Sequence, residues 1–142
     1  MEALPLGEPV GPAAGADVVP APAPPDPLLL PVLFGPRDDW FTARSLAVLT
    51  GPGYRVSPTS NRIGLRLDGP PLERAREGEL PSEGMVLGAV QVPPDGRPVV
   101  FLADHPTTGG YPVIGVIPSS ALPAVAQAAP GTPVRFTPRG RR

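Results

Sequence analysis

Cysteine is absent from the 142-residue chain, and so is lysine: all twelve basic residues are arginine. Without cysteine there is no thiol nucleophile, no disulfide and no thiolate metal site. Without lysine there is no Walker-type phosphate loop and no amine for Schiff-base chemistry. His105 is the single histidine, so a histidine-rich metal centre is excluded. No other cluster has metal-ligand spacing, and no metal is expected within the chain. A net charge of -1 supplies no field to gather nucleic acid or an anionic membrane, so neither is expected as a partner. No apolar run reaches membrane-spanning length and the first residues do not read as a signal peptide, so a cytoplasmic location is expected.

Proline and glycine are plentiful instead, at 25 and 17 residues, which disfavours long helices and favours short strands with tight turns. Residues 1–27 form a Pro/Ala/Gly tract without periodicity, expected to be a disordered linker. One domain is expected over 28–138, followed by a frayed basic tail at 139–142. Leu28–Phe34 reads as an apolar strand in which Pro31 marks an edge or a bulge. Thr42 caps a short helix, with Phe41 and Leu46 at hydrophobic-staple spacing and Gly51-Pro52-Gly53 ending it. Tyr54–Val56 is a brief strand; Ile63, Leu65 and Leu67 alternate with polar residues as a half-buried one. Met85–Val92 and Val99–Asp104 are apolar on both faces and are joined by a turn-rich segment, as in a hairpin. Tyr111–Ile117 and Val134–Phe136 are further strands. Ser120 caps a second short helix, with Leu122, Val125 and Ala126 facing inward. The sum is a mostly β chain, a barrel or sandwich with one or two short helices.

Polar residues at strand edges are the candidates for chemistry. If Val92 pairs opposite Val99, Gln91 and Asp104 share a sheet face; a shift of one residue separates them. A carboxylate on an apolar face needs a partner, and Arg62 is the best candidate for Asp104. The plain alternative is a structural ion pair or a cap for the 105–110 loop. Thr107-Thr108-Gly109-Gly110-Tyr111 is a loop entering a strand, whose glycines allow positive φ and a close approach; it reads as an anion nest or as an ordinary turn. Asn61 can adopt the left-handed conformation and bond its own backbone. Arg62 offers a planar fork to a carboxylate or phosphate. Glu83 is a base, a substrate contact or a solvated loop carboxylate. A Ser-His-Asp site built from Ser60 or Ser82, His105 and Asp104 is disfavoured, because adjacent Asp and His point apart on extended backbone.

Several ordered segments carry a resemblance. They are Gly35-Pro36-Arg37-Asp38-Asp39-Trp40-Phe41, Ser60-Asn61-Arg62-Ile63-Gly64-Leu65-Arg66-Leu67 and Pro81-Ser82-Glu83-Gly84. Gln91-Val92-Pro93-Pro94-Asp95-Gly96 and Thr107-Thr108-Gly109-Gly110-Tyr111 complete the set. The chain resembles the C-terminal half of the KipA-like carboxyltransferase family, which includes the C subunit of 5-oxoprolinase and the matching part of urea amidolyase. The resemblance implies a cyclophilin-like β-barrel. It implies a role in ATP-dependent opening of 5-oxoproline to glutamate, with ATP used at the level of the complex. The implied partners are the N-terminal half of the family protein, the A subunit of 5-oxoprolinase and its KipI-like B subunit. Alternatives within it are a carboxyltransferase module of a urea carboxylase-like system, a non-catalytic module binding a KipI-like partner, and a truncated remnant. Biotin cannot be attached to this chain, because attachment needs a lysine. On the resemblance, Asn61, Gln91, Thr107, Thr108, Gly109, Gly110 and Tyr111 line a pocket, with Arg62, Glu83 and Asp104 as candidate catalytic groups.

Overall fold

The computed structural model describes Gly7, Glu8, Gly11, Pro12, Gly15 and residues 25–141; most of the 1–27 tract expected to be a linker lies outside the described residues. From there the chain runs β1 (Leu28–Phe34), a 3-10 turn (Asp38–Trp40), α1 (Ala43–Thr50), β2 (Tyr54–Val56) and β3 (Gly64–Asp68). It continues through β4 (Glu83–Gly84), β5 (Ala89–Gln91), β6 (Val99–Phe101), β7 (Thr108–Gly109) and β8 (Val113–Val116). A 3-10 turn (Ser119–Ala121), α2 (Leu122–Ala126) and β9 (Pro133–Arg141) complete it.

Seven strands close into a barrel in the order β1-β8-β5-β6-β3-β2-β9, while β4 and β7 pair as a separate two-stranded ribbon. Closure comes from the parallel pairing of β1 with β9, in register from Leu28↔Val134 to Val32↔Pro138. The expected mostly β barrel with two short helices is therefore the observed fold. Alternation packs the interior: Leu28, Leu30, Val32, Leu65, Leu67, Val90, Val100, Ile114, Val134 and Phe136 meet in one core. Within it the Tyr54 and Phe136 rings meet edge to face, with centroids 6.1 Å apart. A smaller cluster of Met85, Ala89, Val99, Phe101 and Val113 lies on the other face of the sheet. This explains why β5 and β6 are apolar on both sides.

α1 begins as its sequence predicts. The Thr42 hydroxyl oxygen accepts from the Ser45 amide at 3.0 Å. Ser45, buried, ties the helix to the 70s loop by accepting from the Glu73 amide at 2.7 Å and donating to the Glu73 carbonyl at 2.9 Å.

Several expectations are corrected. Met85–Val92 is not one strand, because Gly88 turns the chain with φ +83° between β4 and β5. Ile63 is exposed rather than inward, and β3 begins at Gly64. Ser120 lies inside a 3-10 turn and caps nothing; the residue preceding α2 is Ala121, without a side-chain cap bond. Leu122 and Val125 are buried, but Ala126, the last residue of α2, is exposed. β9 extends to Arg141, which pairs opposite Phe34, so most of the supposed tail is strand. Pro31 sits where β1 has a ladder partner only in β9, so its missing N–H breaks no second ladder.

Candidate functional site

The β5–β6 register divides the predicted site residues. Gln91 pairs with Val99 and Val90 with Val100, one residue off the register that would put Gln91 and Asp104 on one face. The observed register buries Val99 and Phe101 together with Met85 and Val113, and Gln91 follows them. Asp104 lies beyond the end of β6 in a turn, with its side chain 49% exposed.

Asn61, Arg62 and Asp104 come together in an open groove of about 680 Å³. Its apolar wall is built from Leu65, Leu102 and the α2 residues Leu122 and Val125. The expected pair forms, with Arg62 Nε 3.2 Å from the Asp104 carboxylate, but in an exposed turn and not on an apolar sheet face. The Arg62 side chain is 91% exposed, so its guanidinium stays open to solvent and to an anionic ligand. Asn61 is not left-handed. Its Oδ1 accepts from the amides of Ile63 at 2.9 Å and Gly64 at 3.3 Å, shaping the turn that presents Arg62.

Glu83, Thr108 and Gly109 form the ribbon on the other side, with Glu83 opposite Gly109 and Gly84 opposite Thr108. The Thr107 carbonyl accepts from the Met85 amide at 2.9 Å. Gln91, 6% exposed, lies beneath and donates from Nε2 to the Tyr111 carbonyl at 3.2 Å. The positive φ expected of Gly109 and Gly110 is not observed. Gly109 is needed for close approach instead: a Cβ there would stand 2.8 Å from Gln91 Nε2. The loop is therefore a ribbon strand packed on a glutamine rather than a nest. Tyr111 is exposed at the ribbon's exit. His105 stacks on Phe101 with ring centroids 6.0 Å apart and is in no triad with Ser60 or Ser82.

A second concavity, a cleft of about 450 Å³, lies between the ribbon and the turn after β1. Phe34, Pro36 and Asp38 line one side, Gly84, Met85 and Val86 the other, and Val113 and Val116 contribute from β8. No residue lines both the cleft and the groove. Across the cleft walls Arg37 grips Glu83 with both arms of its fork: Nε donates to Oε2 at 3.1 Å, and the NH2 nitrogen to Oε1. The Arg37 hydrogen bond holds the Glu83 carboxyl below its ordinary range against a smaller opposing effect of burial, and Glu83 in turn raises Arg37. A carboxylate held this way is a weak proton acceptor, which argues against Glu83 as a free base. Sequence reasoning assigned Arg37 no role. Its only signal was a charged Arg-Asp-Asp run directly after a strand, and Glu83 lies 46 positions away. Among the described residues no group of His, Asp and Glu has the arrangement of a metal site.

Residues 1–138 match the family model for the carboxyltransferase domain, subdomain A and B. The chain belongs to this family. It is 39% identical over 102 residues to the C subunit of 5-oxoprolinase from Escherichia coli (strain K12), a match covering 72% of this chain and 33% of that protein. Over 109 residues it is 35% identical to urea amidolyase of Lachancea kluyveri, covering 70% of this chain and 6% of that one. Among solved structures, TTHA0988 aligns with a TM-score of 0.70 and 36% identity, covering 90% of this chain and 25% of that chain. The K. lactis urea amidolyase aligns with a TM-score of 0.72 and 28% identity, covering 78% and 7%. This carboxyltransferase-family chain thus corresponds to a third or less of each of these longer proteins. Among the described residues no helix is long and apolar enough to cross a membrane.

Proposed function

We propose that the chain is the barrel portion of a protein similar to the C subunit of 5-oxoprolinase. With the remaining length of such a protein and with the A and B subunits of that system, it takes part in ATP-dependent opening of 5-oxoproline to glutamate. The observation that carries this reading is the 39% identity to the E. coli C subunit of 5-oxoprolinase across 72% of the chain. The groove suits the role, because an open guanidinium beside an apolar wall can orient the carboxylate of a small cyclic amide. In this reading Arg62 binds the substrate carboxylate, Asp104 holds the Arg62 fork in place, and Asn61 shapes the turn beneath it. Gln91 is in β5 of the barrel and the Thr107–Tyr111 segment forms the ribbon packed on it; neither lines the groove.

The test is reconstitution with the A and B subunits of 5-oxoprolinase and the N-terminal portion of the family protein, reading ATP-dependent glutamate release. Arg62→Ala is expected to raise KM for 5-oxoproline by about 10-fold or more, the loss of one charge-assisted contact. Full activity in a folded Arg62→Ala variant removes the assigned role. A second reading, a carboxyltransferase module of the urea carboxylase type, is favoured by the fold match to the K. lactis urea amidolyase. Carboxyl transfer to or from biotin on a separate carrier, without glutamate release, would select it.

A further inference from the structure

The ribbon is a separate sheet, and among the described residues no ladder joins it to the barrel. It rests on the small outer cluster, where Gly109 lies against Gln91 and Met85. The turn on the far side of the cleft is fixed differently. Its backbone is sewn to β8 by Gly35 N–H to the Ile114 carbonyl at 3.1 Å and Arg37 N–H to the Val113 carbonyl at 3.0 Å. Arg37 therefore extends from a wall that belongs to the barrel and grips a residue on a wall that does not. Of the ion pairs among the described residues, Arg62–Asp104, Arg76–Asp39 and Arg97–Asp68 do not cross this cleft. Arg37–Glu83 does.

We infer that the Arg37–Glu83 pair is a positioning clasp that sets the separation of ribbon and barrel, and with it the width of the apolar cleft between them. Arg37 is the fixed jaw and Glu83 the movable one. The two-armed grip suits this task, since it fixes orientation as well as distance, which a single charge contact does not. The inference does not depend on the 5-oxoproline reading, because its test measures geometry in the chain by itself.

The absence of cysteine makes that measurement direct. Leu29→Cys on β1 and Thr108→Cys on β7 are both at exposed positions and carry a pair of spin labels, one on the barrel and one on the ribbon. A control pair, Leu29→Cys with Arg66→Cys, lies wholly within the barrel. The parent is expected to give a narrow ribbon-to-barrel distribution by pulsed electron resonance. Glu83→Gln and Arg37→Ala each lengthen and broaden it and leave the control pair unchanged. Arg37→Lys, which keeps the charge but loses the fork, falls between. An unchanged ribbon distance in Glu83→Gln or Arg37→Ala overturns the inference. So does a variant that disturbs the control pair equally, since the pair is then a general support of the fold and not a clasp.

Discussion

Glu83 and Tyr54 titrate away from their ordinary values in opposite directions. The Arg37 fork depresses the Glu83 carboxyl in the folded state below its ordinary value of 4.5. A depressed carboxylate contributes stability that is present above the unfolded value and is lost as pH falls through the folded one. Urea unfolding midpoints of the parent and Glu83→Gln are therefore expected to differ at neutral pH and to converge in acid. A constant gap at every pH would remove the ion pair as its cause. Tyr54 works in the opposite range. Burial pushes its phenol from 10.0 up to about 12, while its hydroxyl donates to the Pro70 carbonyl at 2.9 Å. A raised phenol contributes stability fully present below the unfolded value and lost as pH rises toward the folded one. In a Tyr111→Phe background Tyr54 is the sole tyrosine. Its absorbance titration is expected near pH 12, coincident with unfolding; a midpoint at the ordinary value would contradict the burial.

The elements owe their shape to a few local devices. α1 is eight residues long, too short to persist without help, and its help is the Thr42 cap and the buried Ser45. Thr42→Ala is expected to cost about 1 kcal/mol, read as a lowered denaturation midpoint with an unchanged slope. The break between β4 and β5 depends on Gly88. Its φ of +83° is strained for any other residue, and a Cβ there would stand 2.4 Å from the Ile117 carbonyl oxygen. Gly88→Ala is expected to destabilise by about 2–4 kcal/mol, combining backbone strain with a clash against main chain that cannot step aside. A loss under about 1 kcal/mol would show that the backbone there yields more easily than close packing implies.

At the scale of the whole molecule, closure of the barrel removes the sheet edges that short strands would otherwise leave open. Among the described residues the fold offers two large concave surfaces. The groove holds Asn61, Arg62 and Asp104 against α2; the cleft lies between Pro36 and Asp38, which flank Arg37, and Gly84, which follows Glu83. Val86 and Leu87 are consecutive, both are exposed, and each lines a different one of the two.

Sequence alone determined the strand-rich class, the α1 cap and the first strand. Each of these depends on residues near one another in the chain or on alternation that a strand makes local. The excluded chemistries also followed from composition, since a missing lysine or cysteine is missing in every fold. What only the tertiary structure decided was the register of β5 against β6, because Val92↔Val99 and the observed Gln91↔Val99 are equally compatible with the turn residues between them. Burial of Val99 and Phe101 under the ribbon chose between them and moved Gln91 away from Asp104. The grip of Arg37 on Glu83 likewise spans 46 positions, a pairing that exists only once the ribbon has been laid on the barrel.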